Sequence, residues 1–129
     1  KDEHAVPDVT GFGVLGHTLE LARGSKLSVV IESDKVPLLA DAAMLAEKGF
    51  VTGASHRNWA SYGDSVALQS GLPEWKRHLL ADPQTSGGLL VSCAAASAPA
   101  IVETIKAAGF PAASIIGHTE AGAPKITVI

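Results

Sequence analysis

Asp8-Val9-Thr10-Gly11-Phe12-Gly13-Val14-Leu15-Gly16-His17 decides how the chain is read, because Gly11, Gly13 and Gly16 fall in G-x-G-x-x-G spacing. That spacing is the dinucleotide-binding fingerprint when a strand precedes it and a helix follows. A strand over Ala5 to Thr10, a helix after it and a second strand ending at Glu32 would supply that context, with Glu32 as the ribose-binding carboxylate. Two features oppose it. The first strand would be the buried centre of a parallel sheet, yet it holds Pro7, which cannot donate to a ladder, and the charge of Asp8. The further strands of a doubly wound sheet are also missing. The competing reading is a helix that begins with glycines so that another backbone can approach closely.

Working outward, the pattern after the motif is mixed. Phe12, Leu15, Leu19 and Ala22 recur at helical spacing within a helix read over Asp8 to Arg23, with Gly24 as its stop. Leu27 to Ile31 reads as a strand, and Leu38 to Lys48 as a helix with Leu38, Leu39, Ala42, Leu45 and Ala46 on one face. Phe50 to Gly71 shows no clean period and reads as a long loop with one helical turn. Helices are expected over Pro73 to Leu80 and Ala98 to Ala108. Strands are expected over Gly87 to Cys93 (buried), Ser114 to Thr119 and Lys125 to Ile129, the last two as a hairpin. Alternating helices and strands predict a mixed sheet with helices packed on it.

Composition narrows the function classes. The 129 residues suit one compact domain, and 47% hydrophobic with 18% charged residues argue for a packed globule. The net charge is −3 and the ten Lys and Arg are scattered, so no basic stripe exists for nucleic acid. Cys93 is the single cysteine, which excludes an internal disulfide and points to the cytoplasm. The longest apolar stretch, Leu89 to Val102, is broken by Ser92, Ser97 and Pro99, so no membrane partner is expected. The chain opens abruptly on Lys1-Asp2-Glu3-His4 without an initiator Met or a leader, and is expected to be a fragment.

Two further segments carry candidate chemistry. Asp82-Pro83-Gln84-Thr85-Ser86-Gly87-Gly88-Leu89-Leu90 offers two hydroxyls beside two unobstructed amides, either a nest for an oxyanion or a tight turn into a strand. Ser55-His56-Arg57-Asn58-Trp59-Ala60-Ser61-Tyr62-Gly63 reads either as a contact surface or as a loop pinned to its own domain by Trp59. Ser86 lies in no nucleophile elbow, there is no G-x-x-x-x-G-K-[ST] phosphate loop, and Cys93 in an apolar strand reads as an inert thiol. His4, His17, His56, His78 and His118 show no zinc-site spacing.

Together these segments resemble the selenophosphate synthetases (selenide, water dikinases). The Asp8 to His17 stretch is similar to the one that opens that family's C-terminal domain. Asp82 to Leu90 is similar to its second hallmark, and Arg57-Asn58-x-Ala60-Ser61-Tyr62-Gly63 to a segment of many bacterial members. The resemblance implies an α+β domain of the aminoimidazole-ribonucleotide-synthetase C-terminal type. Its layers are α/β/α, with a mixed sheet of about four strands, partly ferredoxin-like. It implies a single domain over residues 1–129, the C-terminal part of a homodimeric enzyme that converts ATP, selenide and water to selenophosphate, AMP and phosphate with Mg2+. The family's nucleophile and most ATP and metal ligands lie in the N-terminal domain, so this segment alone is expected to be inactive, with no catalytic residue of its own. One role carries over: Asp8 as a magnesium ligand. Thr10, Gly11, Thr85, Ser86, Gly87 and Gly88 are expected to line the site or its phosphates. Pro7 departs from the Thr usual at that position. A related purine-biosynthesis synthetase and a ferredoxin-like small-molecule-binding regulatory module are the alternatives, and the Asp82 to Leu90 segment speaks against both.

Overall fold

A computed structural model of the chain describes residues 3–129, so Lys1 and Asp2 of the abrupt opening lie outside the described residues. In chain order the elements are β1 (Glu3–Ala5), α1 (Gly13–Ser25), β2 (Leu27–Ile31), α2 (Ala42–Glu47) and α3 (Gly53–Tyr62). They continue with β3 (Val66–Leu68), α4 (Glu74–Leu80), β4 (Ser92–Cys93), α5 (Ala98–Ala107), β5 (Gly117–Ala121) and β6 (Ile126–Val128). The expected mixed sheet of four strands is present, in the order β3-β6-β2-β5. β2 runs antiparallel to β5 and parallel to β6, and β6 runs parallel to β3. A separate two-stranded ribbon joins β1 to β4.

The core follows from two periodicities meeting. Leu15, Leu19 and Ala22 repeat along one stripe of α1 and are at most 2% exposed. Ile126 and Val128 of β6 flank a less buried Thr127, Val29 and Ile31 of β2 flank a less buried Val30, and these four present one face of the sheet to that stripe, while Ser28 is buried on the opposite face. Tyr62, Val66, Leu80 and Ala81 complete the cluster, bringing α3 and α4 onto the same side. Each large side chain taken from water there contributes about 1.5–3 kcal/mol. α1 ends on Lys26 in the left-handed conformation, whose amide donates to the carbonyls of Ala22 and Arg23. Gly24 therefore lies inside the helix and is not its stop.

Four further expectations are corrected. Between Leu38 and Lys48 only Ala42–Glu47 is helical, because Asp41 takes a left-handed φ of 65° and interrupts the turn before it. Of the apolar face expected there only Ala46 is buried, while Leu39 is 83% exposed. The stretch from Phe50 to Gly71 is no long loop. It holds α3 and β3, and Thr52 caps α3 by accepting from the Ser55 amide at 3.1 Å. Gly87 to Cys93 does not form a buried strand: only Ser92–Cys93 is extended in a ladder, and Gly87, Gly88 and Leu89 are exposed. The last two strands do not pair, since β2 lies between them. The turn joining β5 to β6 passes over the start of β2, where the Ser28 hydroxyl donates to the Ala123 carbonyl at 2.7 Å and the Val29 amide to Lys125 at 2.9 Å.

Among the described residues no helix is long and apolar enough to cross a membrane. The burial pattern sets a clear contrast. Leu19→Ala is expected to cost about 2–5 kcal/mol by opening a core cavity. Leu39→Ala, at a position with little to lose, should stay within about 0.5 kcal/mol of the parent. Urea unfolding of the two variants measures both, and equal losses would contradict the packing described.

Candidate functional site

The two glycine-rich motifs meet. Asp8 and Leu89 form an isolated antiparallel bridge. On either side of it the Val9 amide donates to Gly88 O at 2.9 Å and the Leu90 amide to Pro7 O at 3.0 Å. Pro7 is tolerated here because its carbonyl, the one ladder group a proline keeps, is the group used. A third bond, from the Gln84 amide to Thr10 O at 3.0 Å, closes the other end. This antiparallel pairing disposes of the dinucleotide reading, which needed residues 5–10 at the centre of a parallel sheet. Glu32, its ribose carboxylate, instead accepts from Lys35 Nζ at 2.9 Å.

Two glycines make the junction sterically feasible. A Cβ on Gly87 would lie 1.9 Å from the Val9 carbonyl oxygen. Gly13 has a φ of 70°, and a Cβ on it would fall 2.8 Å from backbone atoms of Ala81 and Asp82. Both motifs therefore carry glycine for contact between segments of their own chain. Gly88 and Gly11, by contrast, have open space where a side chain would go.

The segment around Asn58 holds this junction together, and it does so as a helix. Asn58 Nδ2 donates to Gly11 O and to Ala81 O, both at 2.9 Å, bridging one motif to the helix end that leads into the other. Tyr62 donates its hydroxyl hydrogen to Phe12 O at 2.6 Å. Burial pushes that phenol up to about 12, partly offset by a backbone hydrogen bond from Gly16, so it stays a donor at neutral pH. Ser55, fully buried, and Thr52 donate to Asp82 Oδ1 at 3.0 and 2.9 Å, and Gln84 Nε2 reaches Asp82 Oδ2 at 3.1 Å. Asp82 is thus occupied in fixing its own turn. Trp59 packs under the Arg77 guanidinium at 4.9 Å, so the segment is pinned to its own domain, by Asn58 and Tyr62 as well as by Trp59.

The expected site residues cluster on this junction. Asp8 is exposed, and among the described residues nothing hydrogen-bonds or pairs with its carboxylate. It is not a helix cap: α1 starts after Phe12 with no side-chain cap. Thr10 is also exposed, and its hydroxyl lies 3.0 Å from His17 Nε2. Thr85 and Ser86 are exposed in the turn between Gln84 and Gly87, beside the Val9–Thr10 segment, and Gly11 and Gly88 contribute backbone groups already bonded to Asn58 and Val9. Sequence reasoning did not single out the His17–Glu20 pair, with Nδ1 to Oε2 at 3.0 Å, or the supporting Ser55 and Asp82. Among the described residues no three His, Cys, Asp or Glu side chains are grouped to hold a metal ion, so a cation at Asp8 needs ligands from elsewhere.

The family model described as AIR synthase related protein, C-terminal domain, matches residues 2–129. The chain belongs to that family. Within it, the chain is 60% identical over 128 residues to a selenide, water dikinase of Rhizobium meliloti (strain 1021), covering 99% of this chain and 37% of that protein. It is 55% identical over 125 residues to a selenide, water dikinase of Pseudomonas straminea, covering 97% of this chain and 35% of the other. One of Paraburkholderia xenovorans (strain LB400) is 50% identical over 126 residues, or 98% and 36% of the two chains. The chain thus spans about a third of the length of the curated relatives it matches.

In this AIR-synthase-related C-terminal domain the two neighbouring glycines should separate experimentally. Gly87→Ala is expected to destabilise by about 1–3 kcal/mol or more, the scale of overpacking, while Gly88→Ala leaves thermal unfolding near the parent. Equal melting points for the two would overturn the contact assigned to Gly87. Tyr62 gives a pH signature. Its pKa is about 12 folded against 10 unfolded, so the folded state holds the proton longer. The stability it contributes is whole below pH 10 and is lost as pH rises towards 12. Tyr62→Phe should therefore flatten the alkaline fall in stability between those limits, and an unchanged slope would refute the burial of that hydroxyl.

Proposed function

We propose that the chain is the C-terminal domain of a selenide, water dikinase. That enzyme makes selenophosphate, AMP and phosphate from ATP, selenide and water, with the nucleophile and most nucleotide-binding groups in a preceding N-terminal domain. The observation that carries this reading is 60% identity across 99% of the chain to a protein of that name. The greater length of the relatives supports a missing partner domain, and the single cysteine suits a cytoplasmic enzyme. A homodimer of the full-length protein belongs to the same reading.

Within it, Asp8 is the residue this domain gives to the Mg2+ site. The carboxylate fits the role: it is exposed, unclaimed among the described residues, and held on backbone fixed by the two bridge hydrogen bonds to Gly88 and Leu90. A hard divalent cation prefers such oxygen donors. Bound there with ATP, the ion would neutralise charge on the phosphoryl group being transferred. Thr85 and Ser86 project from the adjacent exposed turn, where their hydroxyls can donate to phosphate oxygens. Val6 and Leu89 are exposed apolar residues near Asp8, 45% and 66% accessible. An N-terminal domain closing over this face would cover them and supply the remaining ligands.

In the full-length protein Asp8→Asn keeps size and one acceptor oxygen but removes the charge. It is expected to leave the melting temperature unchanged and to lower magnesium-dependent AMP formation by about tenfold or more, the scale of a damaged metal site. Parent-like AMP formation at limiting magnesium would remove Asp8 from the metal site.

A further inference from the structure

His17 is 7% exposed and held at both ring nitrogens. Nδ1 lies 3.0 Å from Glu20 Oε2 and Nε2 lies 3.0 Å from Thr10 Oγ1. The hydrogens follow from chemistry. An ionised carboxylate can only accept, so in the neutral ring Nδ1 carries the hydrogen; Nε2 then has a lone pair and must accept. The Thr10 hydroxyl has one hydrogen, and with the ring neutral that hydrogen is committed to His17. What remains on the Thr10 oxygen is acceptor capacity alone.

The direction of that capacity is set by the strand. Asp8 and Thr10 are two residues apart on an extended segment whose intervening residue, Val9, is buried while both of them are exposed. The carboxylate and the hydroxyl oxygen therefore share one face. A hydroxyl free to rotate could turn its hydrogen towards a cation and repel it. One whose hydrogen is tied down behind the strand presents only lone pairs.

We infer that Glu20 and His17 are positioning residues that lock the Thr10 hydroxyl as a pure acceptor towards the divalent cation at Asp8, directly or through a cation-bound water. The inference rests on the reading of Asp8 as a cation ligand given above. It assigns a use to a Thr–His–Glu relay, built on a buried His17 between an exposed Thr10 and an exposed Glu20, that the family's glycine pattern does not explain. The relay moves no proton; it fixes a tautomer, as the carboxylate behind a metal-bound histidine does.

Two measurements on the full-length protein test it, with Mn2+ as the probe cation. The nitrogen-15 spectrum of labelled histidine is expected to show His17 as the neutral tautomer with hydrogen on Nδ1. Hydrogen on Nε2, or on both nitrogens, at neutral pH would overturn the inference. Mn2+ affinity is expected to fall about tenfold in Thr10→Val, the scale for loss of an outer partner at a metal site. Thr10→Ser should restore it, and Glu20→Ala should both mix the tautomers and weaken binding. A merely structural Thr10–His17 bond predicts the opposite: a lower melting temperature in Thr10→Val with parent Mn2+ affinity, which would sink the proposal. Asp8→Asn separates the two layers. If it leaves Mn2+ binding intact, the reading of Asp8 fails; if it abolishes binding while Thr10→Val does not, only the relay fails.

Discussion

The Val9 carbonyl oxygen occupies the space that any side chain at position 87 would need. That close approach lets residues 7–10 lie against residues 84–90, and most of the candidate site follows from it. Once Val9 is drawn in and buried, alternation along an extended strand turns Asp8 and Thr10 outward. The ladder bonds flanking the Asp8–Leu89 bridge then hold the carboxylate's backbone in a fixed register. A bulkier residue at 87 would prise the segments apart and release every one of these positions together.

A two-stranded ribbon is marginal in water by itself. Here it is anchored by polar groups more than by apolar area. Asn58 spans the two motifs through main-chain carbonyls, Tyr62 takes a third, and Asp82 gathers hydroxyls from Thr52 and Ser55. Such a network stabilises only when its members are satisfied, and these are. Its geometry is also directional, which a hydrophobic contact is not. α3 can therefore fix the orientation of the junction as well as its distance from the core.

That choice of residues explains what could and could not be read in advance. α1, β2 and α4 were legible because aliphatic residues mark their buried faces, and α5 because its apolar residues keep helical spacing although none is fully buried. α3 was missed because its inward positions, 55, 58, 59 and 62, keep helical spacing but carry Ser, Asn, Trp and Tyr, which do not register as an apolar stripe. The reverse error occurred over Leu38 to Lys48, where a good apolar period has little to pack against and Asp41 breaks the turn. A four-residue turn between β5 and β6 looks like a hairpin; that β2 sits between them depends on long-range pairing that no local pattern encodes. The hydroxyls and glycines of Asp82 to Leu90 were legible as a candidate oxyanion nest, but the role of Asp8 was legible only as a resemblance. Nothing in spacing alone marks Asp8 as more than a polar residue before a glycine turn.

The division of labour within the motif Asp8 to His17 closes the account. Gly13 serves the packing of α1 against the Ala81–Asp82 backbone, and Val9 and Leu15 anchor the segment in the core. Asp8 and Thr10 are left facing solvent, with His17 behind Thr10 on the first turns of the same helix. The buried half of the motif makes the exposed half rigid. An exposed carboxylate on a rigid backbone adds little to the stability of this domain, so its value must be sought in what the domain meets. Leu89 is exposed opposite Asp8 across the bridge, so an apolar side chain lies beside the carboxylate. In the function proposed above, both features are used when a second surface covers this face and excludes water from the carboxylate, where each charge–cation contact becomes stronger.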